Sequence, residues 1–247
     1  MNRTQTPDDS RAATQLALAG SLLVFLVCAT LPYTWLIEHF GYDDILREPT
    51  AVILRNFHAG GAPLVLAWFA FAMSALLFIP VARGFQRLLA TYGESDRGTS
   101  ILAVASATAQ AIGLLRWTLV VPALAAAYSD PLSSIATQDA TAVVFDAVHR
   151  YGGMVIGEMV GQLLLAGWTA LVAAQLWRTR AVPRPLAAIG MLTLPFWLLG
   201  QTELLHGVIP SVPSIEAIPL AFMAWEAWLA AMAISLLADA WHSRAHA

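Results

Sequence analysis

Two charges stand where apolar runs would otherwise continue. Arg116 lies in Leu114-Leu115-Arg116-Trp117, and Glu158 lies in Gly157-Glu158-Met159. In hydrocarbon each such charge costs about 2.5–3.5 kcal/mol on insertion scales, so each needs a partner, a water-filled cavity or a function. A third charge, Glu226, interrupts Ala224-Trp225-Glu226-Ala227-Trp228. An arginine can anchor an anion or pair with a carboxylate. Two carboxylates facing one arginine leave one that must be protonated, hold a cation or meet solvent, so a shared-proton site is one reading. The other is a structural ion pair, Arg116 with Glu158 or with Glu226, that fixes helix register.

Spacing adds candidates to this set. Tyr151, Glu158 and Gln162 fall at i, i+7 and i+11, which places them on one face of an α-helix as a polar stripe unsuited to lipid. The same stretch carries Gly153, Gly157 and Gly161, two overlapping GxxxG steps. Such steps allow close backbone approach, here expected within the chain rather than between copies. Glu203 and His206, at i and i+3, share a helical face. With His149 and His58 on the same side of the membrane they suggest a metal or haem. Bundle di-metal sites need that step from two helices plus further carboxylates, and one step is present, so no metal or other cofactor is expected. Trp68, Trp117, Trp168, Trp197, Trp225 and Trp228 are expected in packing or an interfacial belt, with Trp225 and Trp228 flanking Glu226. His242 and His246 are read as solvated.

Six apolar segments must position these residues. They run over Gln15–Ile37, Pro63–Val81, Ser100–Ala127, Tyr151–Trp177, Leu186–Leu205 and Ile218–Ala240. About 20 apolar residues cross the ~30 Å hydrocarbon core. The first segment is longer than the apolar part of a signal peptide, and Pro32, Tyr33 and Trp35 near its end fit an interfacial belt. Between segments one and two, Asp43 and Asp44 can cap a short helix. Pro49 starts or kinks a second, with Val52, Ile53 and Phe57 on one face, and Gly60-Gly61 ends it. Between segments three and four, Tyr128 to Arg150 opens on the turn signal Ser129-Asp130-Pro131 and continues as an amphipathic connection with Val143, Val144 and Val148 near one face. Counted from the outer ends at 1.5 Å per residue, Arg116 lies roughly 18 Å deep and Glu158 and Glu226 roughly 10–14 Å, so the three can meet in the outer half of the membrane.

Composition supports a membrane protein. Of 247 residues 58% are hydrophobic and 12% charged, half the ~25% charged share of soluble domains, and the mean hydropathy is +0.66. Net charge is −3 and all 13 basic residues are arginine. With no basic run, no nucleic-acid partner is expected. The single cysteine, Cys28, excludes an intrachain disulfide and a CxxC pair and is expected in the core. No glycine-rich phosphate loop, serine elbow or HExxH motif appears, which removes most support for hydrolase and nucleotide-binding readings. No period of 20–50 residues is evident. Nine arginines fall in the two tails and in the connections after segments two and four, against three (Arg47, Arg55, Arg150) in the other connections. The positive-inside rule then sets both termini in the cytoplasm and the short amphipathic helices on the outer face. The expected fold is all-α: a polytopic membrane bundle of six transmembrane helices, one domain over residues 15–240, with cytoplasmic tails at 1–14 and 241–247.

Longer stretches resemble a family. Asp44-Ile45-Leu46-Arg47-Glu48-Pro49, the Gly60-Gly61 pair and Phe78-Ile79-Pro80 are similar to a bacterial six-helix membrane family described only as a domain of unknown function (number 4386). So are Leu114 to Pro122, His149-Arg150-Tyr151 through Glu158 to Gly161, and Glu216-Ala217-Ile218-Pro219 running into Trp225-Glu226. The likeness spans about residues 42–237. It implies six helices and a bacterial inner membrane, and it supplies no activity or site residues.

The reading that follows is an integral membrane protein with an outward-facing polar pocket for a small ligand or ion, serving transport or sensing. Arg116 would be the anion anchor, Glu158 its counter-ion and Glu226 a titratable or cation-binding group, with Tyr151 and Gln162 beside them. The lack of an inverted repeat weakens the transporter version. Two alternatives stay open. One is a membrane enzyme acting on lipid or quinone through Glu158, Glu203, His206 and His149, with or without a metal. The other is a structural subunit of a membrane complex. Membrane lipids are expected partners, and a homo-oligomer or a partner membrane protein is left open.

Overall fold

A computed structural model describes residues 7–94 and 96–245 of the chain. Residues 1–6 of the expected N-terminal tail, and His246 with Ala247, lie outside the described residues. The elements in chain order are α1 (Pro7–Phe40), a 3-10 turn (Asp44–Arg47), α2 (Thr50–Leu76), α3 (Phe78–Ala90), α4 (Arg97–Leu119) and α5 (Val121–Ser129). They continue as α6 (Ile135–Val148), a π-helix (His149–Val160), α7 (Gly161–Thr179), α8 (Arg184–Leu192), α9 (Leu194–His206) and α10 (Ile218–Ala245). No strand occurs among the described residues.

Several of these helices run on from one another. The described residues thus hold six spans long and apolar enough to cross a membrane: Ser10–Phe40, Thr50–Ala90, Arg97–Ser129, Ile135–Thr179, Arg184–His206 and Ile218–His242. The exposed surface of the spans is rich in large apolar side chains, among them Leu31, Leu66, Ile101, Leu119, Leu192 and Ile234. That is the surface a helix presents to lipid rather than to water.

The breaks have local causes. Gly61 adopts φ 55° and ψ −152° inside α2, a conformation that costs glycine little. The Gly60-Gly61 end expected from the sequence is therefore real, and Thr50 to Gly60 is a short helix with Ile53, Leu54 and Phe57 buried. Val52, expected on that face, is exposed. Pro122 and Pro195 open α5 and α9, as residues that lack an amide hydrogen must. The fourth span differs from expectation. The connection expected over Tyr128 to Arg150 is helical from Ile135, and the helix continues without interruption through Gly152-Gly153 to Thr179. His149, Arg150 and the glycines look like a terminus in sequence, but a continuous backbone ladder, locally π, carries the chain through them. Cys28 is exposed on α1 instead of buried in the core.

The chain divides into two compact units. The first comprises Met1–Leu26, Leu77–Ser106 and Gln162–Ala247, and the second Val27–Leu76 and Ala107–Gly161. In the first, α10 packs on α8 and α9. Its centre is aromatic: Phe78 meets Trp168 at 4.7 Å, Phe85 meets Trp168 at 5.4 Å, and Trp197 meets Phe222 at 4.7 Å. The indole N–H of Trp225 donates to Thr169 Oγ1 (3.0 Å) and that of Trp228 to Leu186 O (2.9 Å). Polar groups of the same unit cluster near the α3–α4 connection. Arg178 pairs with Glu94 (3.4 Å), Gln175 donates to Asp96 (3.4 Å), and Arg11 lies 4.9 Å over the Tyr92 ring.

In the second unit α2 packs on α5 and α6, and α5 on α6. Its core joins Phe40, Phe57, Trp68, Trp117 and Phe145. The Trp68 and Trp117 rings stack at 4.8 Å, and Phe57 stacks on Trp117 at 5.6 Å. Thr50 Oγ1 donates to Asp146 Oδ1 (2.6 Å), fixing the start of α2 on α6. All six tryptophans singled out in the sequence are buried, so packing is their role.

Candidate functional site

Arg116 is the charged centre of the second unit. It sits one turn before the end of α4 and is 7% exposed. Its Nη1 donates to Gly113 O, one turn back on the same helix. Its Nη2 donates to His149 Nδ1 (3.3 Å) at the start of the π-helix. Because arginine has no acceptor, His149 accepts at Nδ1 and carries its proton on Nε2. The imidazole is held flat by Phe145, stacked at 5.4 Å, and edge-on by Trp117 at 6.0 Å. The guanidinium also lies 5.1 Å over the Trp117 ring, a cation–π contact. Nε of Arg116 and the indole nitrogens of Trp68 and Trp117 are buried without a hydrogen-bond partner among the described residues.

Glycines make this arrangement possible. A Cβ at Gly153 would collide with the Arg116 guanidinium, one at Gly157 would press on Gly113 Cα, and one at Gly161 would meet Gln110. The three glycines of the GxxxG ridge therefore face Arg116, Gly113 and Gln110 in succession, each three residues earlier on α4. The ridge is used within the chain.

Glu158, in the π-helix and partly buried, acts electrostatically on Arg116 and on Tyr42. Tyr42 is the residue the sequence reading did not single out. It lies in the connection after α1, with its ring against Trp68 (4.9 Å), Tyr33 (5.7 Å) and Phe71 (6.2 Å). Burial, then the charges of Asp43 and Glu158, hold its phenol well above the usual tyrosine value, so it keeps its proton. Asp43 accepts a hydrogen bond from Tyr33 (3.4 Å). Burial raises its carboxyl above the usual value, against the opposing pull of Arg47 and the Tyr33 hydroxyl. Asp43 stands at the N-cap position of the 3-10 turn but makes no side-chain capping bond. Its carboxylate accepts from Tyr33 instead.

The other expected residues fall elsewhere. Tyr151 is 68% exposed. The i, i+7, i+11 stripe assumes 3.6 residues per turn, and the π-helix from His149 to Val160 breaks that period, turning Tyr151 away from the buried face. Gln162 belongs to the first unit, where its Oε1 accepts from Gln201 Nε2 (3.0 Å) and both side chains are buried. Glu226 is in the first unit too, partly buried between the buried Trp225 and Trp228, with no hydrogen-bond or ion-pair partner among the described residues. Glu203 is partly buried on α9. His206 is exposed and its Nδ1 donates to Val212 O (2.7 Å), which ties it to the following loop. Among the described residues no three histidine, cysteine, aspartate or glutamate side chains are grouped as metal ligands.

Six long apolar spans in an all-helical chain define a multi-pass membrane helix bundle. The chain belongs to the family described as Domain of unknown function (DUF4386), whose model matches residues 18–234. No curated protein and no solved structure matches the chain.

Proposed function

We propose that the Arg116 cluster of the second unit is an intramembrane binding site for a small ligand or ion, used in transport or sensing. One observation carries this reading. Arg116, 7% exposed, bonds a backbone carbonyl and an imidazole through its guanidinium, and its Nε–H has no acceptor among the described residues. Charged groups inside a membrane mark pathways and binding sites more often than they serve packing alone. Arg116 is the anion-binding element, Glu158 its counter-charge, His149 a neutral polar wall and Tyr42 a fixed hydroxyl. With both termini in the cytoplasm of a bacterial cell, as the arginine distribution favours, the cluster lies in the outer half of the inner membrane. Glu226 and the Gln162–Gln201 pair belong to the first unit.

The test is ligand-dependent stabilisation of the purified protein in lipid nanodiscs, screened with small carboxylates, inorganic phosphate and monovalent and divalent cations. The expected result is a thermal shift with one class that R116Q removes. No shift with any class, together with an R116M/E158M protein more stable than the parent, would make the cluster a packing device.

A further inference from the structure

We propose that the seam between α1 and α3 in the first unit holds one anionic phospholipid, with an acyl chain in an apolar groove and the phosphate at Arg83 and Arg87. The site lies wholly in the first unit and does not rest on the reading of the Arg116 cluster.

Three contacts fix how the two helices run. A Cβ at Gly84 would meet the Leu18 side chain, the Phe25 and Phe78 rings stand 5.9 Å apart, and Arg11 lies over Tyr92 just past the end of α3. Residue numbers rise along one helix as they fall along the other, so α1 and α3 pack antiparallel. A groove of about 290 Å³ opens between them, lined by Gly20, Ser21, Val24, Leu77 and Pro80. All five lie inside membrane spans. Gly20 and Val24 are exposed, and a Cβ at Gly20 would meet nothing within 4 Å. The groove is open where a larger side chain would fill it.

The lining suits a hydrocarbon chain. Ser21 Oγ donates to Ala17 O (2.9 Å) within its own helix, and Pro80 has no amide hydrogen to offer. Neither brings an unpaired donor to the groove. Bilayer chains lie against every exposed span, but elsewhere they meet protruding side chains such as Leu31, Leu66 and Ile101. Here they meet a recess instead.

The charge stands along the same seam. On α3, Pro80, Arg83 and Arg87 fall at i, i+3 and i+7, so they share a face, and all three are exposed. On α1, Gly20, Ala17 and Ala13 share a face in the same way, small and exposed, and extend the open seam toward the arginines. From Pro80 to Arg87 the helix rises ~10 Å, less than the ~15 Å of hydrocarbon in one leaflet. One lipid can therefore reach from the groove to both guanidinium groups. Arg178 at the same end is taken by Glu94, and Arg11 by the Tyr92 ring, whereas Arg83 and Arg87 stand exposed. Their stems can lie along apolar surface while the heads reach headgroup level, where a fork of N–H donors matches a phosphate. The arginine distribution favours the cytoplasm for this end, the side on which anionic lipids attract basic groups.

The experiment is native mass spectrometry of the full chain, delipidated in a neutral detergent and titrated with phosphatidylglycerol or with phosphatidylcholine of the same acyl chains. The expected result is one phosphatidylglycerol held about thirtyfold more tightly than phosphatidylcholine, roughly fivefold for each arginine at the phosphate. R83Q/R87Q should erase that preference. R97Q/R184Q, which removes two exposed arginines of α4 and α8, should keep it. G20F, which fills the groove, should weaken the binding of both lipids by about tenfold, as for the loss of roughly two buried methylenes. I234F, which adds bulk at an exposed position of α10, should bind as the parent does. Equal losses of preference in R83Q/R87Q and R97Q/R184Q would assign it to the general field of this end and overturn the site. Parent-like binding in G20F would also overturn it, because the groove would then hold no chain. Displacement of the bound lipid by an equal concentration of inorganic phosphate would overturn it too, as headgroup binding without the groove.

Discussion

A methyl group at Gly153 would occupy the space of the Arg116 guanidinium. The π-helix thus contributes a missing side chain to the site, and the burial of Arg116 depends on it. Gly152, the preceding residue, has open space where its Cβ would be. G153A should therefore destabilise the protein by about 1–3 kcal/mol, the range for forced overpacking. G152A should stay within about 0.5 kcal/mol, as surface substitutions do. Unfolding in mixed detergent micelles compares them, and equal effects would remove Gly153 as the seat of the guanidinium.

Arg116 itself should show the asymmetry of a buried charge. R116A takes the donor from Gly113 O and His149 Nδ1 and removes the positive charge that acts on Glu158. Breaking a buried pair from one side costs about 3–5 kcal/mol, while replacing both partners by apolar groups is often neutral. R116M/E158M should accordingly be more stable than R116A, with the difference read from the same unfolding measurement. A double variant as unstable as the single one would show that Glu158 is not the partner whose charge matters.

Much of this chain was legible because lipid imposes one rule on its sequence. Backbone groups must bond internally, so apolar length alone places six helices, and each of the six spans contains one of the six expected apolar segments. Arg116 and Glu158 were legible for the same reason, as charges out of place in hydrocarbon. The glycine ridge was legible because small residues at four-residue spacing permit only close approach. Tyr151 was misplaced because nothing in a hydrophobic pattern distinguishes a π turn from an α turn, and a few residues of altered pitch rotate everything before them. Tyr42 was hidden by its company. An aromatic residue near a membrane surface reads as belt, and its packing against Tyr33, Trp68 and Phe71 depends on how the connection folds back. Asp43 read as a helix cap, the commonest duty of an aspartate before a short helix, and took the Tyr33 phenol instead.

The raised Asp43 carboxyl makes stability depend on pH with a definite sign. The folded protein holds this proton more tightly than the unfolded chain, whose carboxyl titrates near the usual 3.8. Between the two values the native state binds more protons, so stability falls as pH rises through that window. Below the usual value both states are protonated and the group contributes no difference. Above the folded value the loss is complete. D43N, which stays neutral throughout, should flatten this part of the stability profile and raise stability at neutral pH relative to the parent. An unchanged slope in D43N would assign the pH dependence to another group.

In the first unit the Gln162–Gln201 pair offers a cleaner energetic test, because both side chains are buried and neither carries charge. Gln201 Nε2 donates to Gln162 Oε1 at 3.0 Å and to Trp197 O at 3.4 Å, while Gln201 Oε1 has no partner among the described residues. Q162L removes the better acceptor and leaves a buried amide hydrogen with a long bond, which costs about 1–3 kcal/mol. Q201L removes the donor and the orphaned oxygen together, so its cost should be smaller. In Q162L/Q201L no polar group of the pair is left to desolvate. The double variant should then be more stable than Q162L, with a coupling energy of about 0.6 kcal/mol and up to ~1.7 kcal/mol, as for hydrogen bonds between membrane helices. Strictly additive effects in that cycle would mean the bond between α7 and α9 contributes nothing to stability, and that the two amides answer to something else in the bundle.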